Sequence, residues 1–124
     1  MTFTRIDMSK NARDKMCALL NQRLAETIDL AAQCKQAHWN VKGRHFIGLH
    51  ELFDKFHGEL LPQIDEVAER ITALGGTAHG TVQAVGKATE LPKYPENIVA
   101  GDAHLKALGD AYAKFAKAVR EGID

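Results

Sequence analysis

A chain of 124 residues has material for one hydrophobic core, and its 45% apolar and 26% charged residues are ordinary globular composition, which excludes disorder. Basic and acidic side chains cancel to a formal net charge of zero, so no global field draws the chain to nucleic acid or to an anionic membrane. No apolar run approaches the ~18 residues of a membrane span, and the polar start Met1-Thr2-Phe3-Thr4-Arg5 is not a signal peptide, so the expectation is one cytoplasmic domain over residues 1–124.

The first predicted helix begins at Ser9 or Asn11, either of which can cap it, and runs to about Lys42. Met16, Leu19, Leu20, Leu24, Ile28, Ala31 and Ala32 keep helical spacing and are assigned inward; Gly43 stands where a left-handed cap is wanted. Cys17 and Cys34 fall on this helix about 25 Å apart, too far for a disulfide; Cys34, one turn before His38, could contact a metal but is assigned as a small buried hydrophobe. The second helix spans Phe46 to Leu74 and stops at Gly75-Gly76, with Pro62 as its weak point and the place where a kink is expected. Its core stripe is Leu49, Leu52, Phe53, Phe56, Leu60, Ile64, Val67, Ile71 and Leu74. Gly80, Gly86, Pro92 and Pro95 break the pattern that follows, which predicts a long connection carrying a short helix at Val82 to Ala88. A third long helix follows from Asp102 to about Arg120, with Leu105, Leu108, Tyr112, Phe115, Ala116 and Val119 inward.

The second helix also carries metal-ligand chemistry. His50 and Asp54 are one turn apart, as are Asp65 and Glu69, and all four fall within roughly 120° of arc. Acidic residues on a helix are ordinarily a solvated face. Here Ile47, Gly58, Leu61, Ala68 and Thr72 share the same arc, and carboxylates in a partly apolar seam are costly unless paired or metal-bound. The two pairs cannot share a metal within one chain, because Asp54 and Asp65 lie about 16 Å apart along the axis and metal–ligand bonds are near 2 Å. The midpoint of Asp54 and Asp65 and the midpoint of His50 and Glu69 are the same point, between Glu59 and Leu60. Crossing the helix there with an antiparallel copy of itself sets His50 and Asp54 of one chain against Asp65 and Glu69 of the other, as a self-complementary two-fold contact does. A break at Pro62 would defeat this arrangement.

Gln36-Ala37-His38-Trp39-Asn40, then Gly43, His50-Glu51 with Asp54, and Asp65-Glu66-Val67-Ala68-Glu69-Arg70 resemble the Dps family, the miniferritins named as DNA-binding proteins from starved cells. The similarity continues through Leu74-Gly75-Gly76, Pro92 and Tyr94-Pro95 into the last helix and covers nearly the whole chain. It implies an all-α, ferritin-like helical bundle with a short crossover helix, a two-fold dimer within a dodecamer, and a ferroxidase that oxidises Fe(II) and stores ferric mineral. It further implies that His38, His50 and Asp54 come from one subunit and Asp65 and Glu69 from its neighbour, with hydrogen peroxide (or oxygen) as oxidant. Imidazole with carboxylate suits iron, zinc or manganese, with no thiolate cluster to demand zinc, and no Glu-x-x-His motif is present for a site inside one bundle; the nearest match is Asp54-x-x-His57. Trp39 is assigned to packing beside the ligands, with scavenging of stray oxidising equivalents as a further role. His57 is assigned to the seam, and His45, His79 and His104 to structural positions.

The chain ends at Gly122-Ile123-Asp124, where relatives of this family continue into a fourth bundle helix, so a C-terminally truncated chain is expected. DNA compaction by a basic tail has little support, since the first ten residues offer Arg5, Lys10 and the terminal amine against Asp7. The competing class is a non-enzymatic shell that compacts DNA, and so associates with the nucleoid, or sequesters metal.

Overall fold

The computed structural model describes residues 3–123, with side chains through Gly122. Met1, Thr2 and Asp124, which enter the reading of the two chain ends, lie outside the described residues. Four helices follow in order: α1 (Lys10–Asn40), α2 (Phe46–Ala73), α3 (Val82–Ala88) and α4 (Gly101–Ile123). Among the described residues the only β pairing is an isolated bridge between Lys42 and Ala100, and no helix is long and apolar enough to cross a membrane. The three long helices and the short crossover are the ferritin-like, all-α arrangement expected, with α2, α3 and α4 each packed on α1.

Ser9, not Asn11, caps α1, its hydroxyl accepting from the Ala12 N–H at 3.1 Å. The other end differs from expectation. The helix stops at Asn40 because Val41 turns extended and buries its side chain, and Lys42 then donates its N–H to the Val99 carbonyl at 2.9 Å. Gly43 is therefore not the helix cap; with φ of 116° it makes the reversal into α2. α2 runs unbroken through Pro62, which lies on an exposed face, so water can satisfy the carbonyl that the missing N–H releases. Its C-terminus is a Schellman motif: Gly75 at φ 88° donates to the Thr72 carbonyl and Gly76 to that of Ile71, each at 3.0 Å.

The core lies where α1 meets the other elements. Leu30, Cys34, Ala37, Val41, Phe53, Leu60, Leu108 and Ala111 form its larger part, joined by Leu91 and Tyr94 from the connection. Cys17, Leu24, Ile71 and Leu74 form a second cluster towards the other end of the α1–α2 hairpin. The α2 stripe is as expected, every member buried or half-buried. That of α1 is not: Met16 is 40% exposed and Ala32 is also exposed, while Cys17, Ala25, Thr27 and Leu30 are buried; Cys34 is buried as assigned. A helix covered on several sides has no single apolar stripe to read.

One of those sides is polar. Asn21, Gln22, Asp29 and Gln33 tie the connection down through the carbonyls of Thr77, Ala88 and Pro92 and the hydroxyl of Thr89. On α4, Leu108, Tyr112 and Phe115 face inward, whereas Leu105 (46% exposed), Ala116 and Val119 do not. Leu105 instead borders an open groove of about 370 Å³ between α2 and α4, with Phe53, Phe56, Leu108 and Tyr112. Both cysteines are free and buried.

Candidate metal centre

The α1–α2 hairpin brings His38, near the end of α1, against His50, in the first turns of α2. Their rings stack with centroids 3.7 Å apart and planes 20° from parallel. Each ring reaches the other residue's main chain: His50 Nδ1 lies 2.8 Å from the His38 carbonyl, and His38 Nδ1 is bonded to the His50 carbonyl. A carbonyl can only accept, so both Nδ1 atoms carry the proton and donate. In the neutral rings the lone pair therefore sits on Nε2, the ligating atom left free, and the main-chain bond fixes the orientation as an outer partner does at a metal site. Phe46 also stacks on His50, with ring centroids 4.9 Å apart.

Asp54 follows His50 by one turn. Its Oδ1 accepts from Lys35 Nζ at 2.6 Å. That ammonium holds the carboxyl below its usual range, with smaller contributions from His38 and His57. Lys35 was missed in the sequence. The available signal was its place three residues before His38, on the neighbouring part of the same α1 face. His57 Nδ1 donates to the Ala31 carbonyl at 2.9 Å, which leaves its Nε2 as an acceptor as well.

Asp65 and Glu69 stand exposed on the second half of α2, and Glu69 borders a surface groove with Leu20, Val67 and Arg70. They do not approach the histidines of their own chain. Among the described residues no three His, Cys, Asp or Glu side chains converge on a point that could hold a metal ion. The hairpin thus joins His38 to His50, leaves Asp54 in an ion pair, and leaves Asp65 and Glu69 facing outward. The mixed seam runs along the same face of α2, with Ile47 61% exposed before His50, and Leu61 49% exposed and Gly58 open between the two halves. Trp39, beside His38, is 65% exposed and is not part of its own chain's core. His45 and His79 are exposed; His104 is buried against Tyr94.

The chain matches the family model for the ferritin-like domain over residues 17–124. It is 46% identical over 121 residues to the DNA protection during starvation protein of Agrobacterium fabrum, spanning 98% of this chain and 75% of that protein. The protein of the same name from Mycolicibacterium smegmatis is 34% identical over 123 residues, spanning 99% of this chain and 67% of that one. Among solved structures, Mycobacterium smegmatis Dps in a tetragonal form superposes with a TM-score of 0.92 at 34% identity, over 99% of this chain and 74% of the other. A Dps protein of Vibrio cholerae, described as a member of the ferritin-like diiron-carboxylate superfamily, gives 0.89 at 26% identity, over 98% and 76%.

Proposed function

Because this chain belongs to the Dps family of ferritin-like proteins, we propose that it takes Fe(II) as substrate, oxidises it with hydrogen peroxide (or oxygen) between two-fold-related copies, and stores the ferric product. The observation that carries this reading is the reciprocal clamp of His38 and His50, which presents two fixed Nε2 lone pairs beside Asp54 while Asp65 and Glu69 remain exposed on the same helix. Pairing α2 with an antiparallel copy about the Glu59–Leu60 point joins the two half-sites into a set of two imidazoles and three carboxylates. The apolar members of the seam, Ile47 and Leu61, supply area to bury in that contact.

The donor chemistry fits the cargo. Neutral imidazole and carboxylate suit Fe(II) and also Zn(II), and the rings need no reorganisation because the main chain already holds them. Peroxide accepts two electrons, one from each of two Fe(II) ions, and leaves as two hydroxides, so iron and peroxide are consumed together. The Lys35–Asp54 ion pair opposes entry of a cation at Asp54, which makes the Asp65–Glu69 end of the set the firmer iron position. The name shared by the relatives extends the proposal to protection of DNA during starvation, with removal of Fe(II) and peroxide as the means. We further take residues 1–124 as one Dps-type domain that assembles within a dodecamer.

Anaerobic loading with Fe(II), followed by peroxide and ferric absorbance, tests the proposal on a sample of known mass. Rapid oxidation in a dimer or larger assembly, abolished in the double variant Asp65→Asn/Glu69→Gln, is expected. No oxidation in a well-formed dimer would refute it.

A further inference from the structure

At the centre of its seam α2 carries two residues that its own chain does not explain. Gly58 lies in the interior of a 28-residue helix, where glycine weakens the helix relative to alanine. Its φ is not positive, since among the described residues only Gly43 and Gly75 adopt such values. A Cβ added there would meet nothing of its own chain within 4 Å. Neither backbone geometry nor internal packing therefore calls for glycine. Three residues on, Leu61 is 49% exposed and belongs to neither core cluster.

Both residues sit beside the proposed two-fold centre. Their midpoint is again the point between Glu59 and Leu60, as it is for Asp54 with Asp65 and for His50 with Glu69. At about 100° per residue, they flank the middle of the seam arc by roughly 30° on either side. In an antiparallel crossing about that point, Leu61 of each chain falls opposite Gly58 of the other, about 2 Å along the axis from the centre. Asp54 and Asp65 stand about 8 Å from the centre, so the glycine and leucine lie where the two helices come closest. Side chains at such a contact set the distance between packed helices, over roughly 8–10 Å. Metal–ligand bonds near 2 Å tolerate errors of only about 0.2 Å. Ligands on opposite helices therefore share an ion at one helix separation and lose it at others.

We propose that Gly58 is a positioning residue of the iron site. As the gap that receives Leu61 of the two-fold-related copy, it sets the separation at which His50 and Asp54 meet Asp65 and Glu69 of that copy. The inference rests on the two-chain reading of the site. Each chain carries both the leucine and the gap, so the contact is made twice and closes on itself as a two-fold interface does. Gly58 touches no iron and holds no ligand directly; it acts by letting the two backbones approach. A misplacement of 1 Å can slow a reaction about 100-fold, and a side chain at Gly58 forces the helices apart on that scale.

The test is the rate of ferric absorbance after anaerobic Fe(II) loading and peroxide addition, with helix content read by circular dichroism and mass by light scattering. Gly58→Ala should keep its helix content, because the new Cβ meets nothing in its own chain, yet oxidise iron more slowly. Gly58→Leu should lose about 100-fold or more. Exchanging the two residues, Gly58→Leu with Leu61→Gly, returns one leucine and one gap to each contact and should recover most of the rate. Gly48→Ala, equally open but about 110° around α2 from the middle of the seam, should match wild type. A wild-type rate in Gly58→Leu, or no recovery in the exchanged variant with helix content retained, overturns the inference and leaves the ferroxidase reading intact. If the leucine variants fail to fold, Gly58→Ala decides: an unchanged rate, or an equal loss in Gly48→Ala, overturns the inference. No ferric absorbance in a well-formed wild-type dimer overturns both.

Discussion

Two inactive variants should make an active protein when mixed. Asp65→Asn/Glu69→Gln removes the exposed half of the ligand set, and His50→Ala/Asp54→Asn removes much of the clamped half. Within one chain the halves stand about 16 Å apart along α2, and no three ligands converge there. Each variant alone should therefore be inactive. In a heterodimer, the clamped half of the first variant meets the exposed half of the second, giving one intact site; the other site loses both halves. Random exchange of an equal mixture puts half the chains in heterodimers, so recovered activity should be about a quarter of wild type by the symmetry of a two-fold contact. The assay is the initial rate of ferric absorbance before and after mixing, with subunit exchange followed by mass spectrometry of differently tagged chains. Confirmed exchange with no recovered activity would refute the two-chain site.

Three further outcomes follow from individual contacts. Lys35→Met frees the Asp54 carboxylate, so Zn(II) or Fe(II) should bind more tightly by titration calorimetry, and the Asp54 carboxyl should titrate nearer its ordinary value by NMR; unchanged affinity would contradict the ion-pair reading. Gly76→Ala would set a Cβ 2.7 Å from Cys17 Sγ. Overpacking of this kind costs about 1–3 kcal/mol in urea unfolding, whereas Gly86→Ala in α3 meets nothing within 4 Å and should be neutral or better by up to ~1 kcal/mol. Burial depresses His104 in the folded chain below 6.5, its ordinary value. The unfolded chain binds that proton first, so stability is complete above about pH 6.5 and falls as pH drops towards the folded-state value. Melting temperature should decline less over that window in His104→Gln than in wild type.

How much was legible in the sequence depended on whether a residue's neighbours are local. The C-terminal end of α2 was readable because Gly75-Gly76 act within one turn, and α3 was readable from the glycine and proline breaks around it; the Thr81 hydroxyl that caps α3 was not used. The mixed character of the α2 seam was readable because one helix carries both halves of the ligand set at known rise. Val41 was not, since its extended backbone answers to Val99, far along the chain. Nor was the buried face of α1, which meets three partners and hides its polar ladder of Asn21, Gln22, Asp29 and Gln33 under the crossover. Lys35 was overlooked because a lysine on a helix is ordinarily solvated, and only the hairpin brings Asp54 to it. His104 was assigned a structural place, and its bond to Tyr94 appears only once the crossover is folded over α1 and α4.

The central claim is that each iron site is built from two chains. Diffraction at the iron absorption edge, from crystals loaded anaerobically with Fe(II), tests it most directly. An anomalous peak within bonding distance of a histidine Nε2 of one chain and of Asp65 or Glu69 of its neighbour is the expected result. A peak held by one chain alone, or iron only at Glu69 away from both histidines, would contradict it.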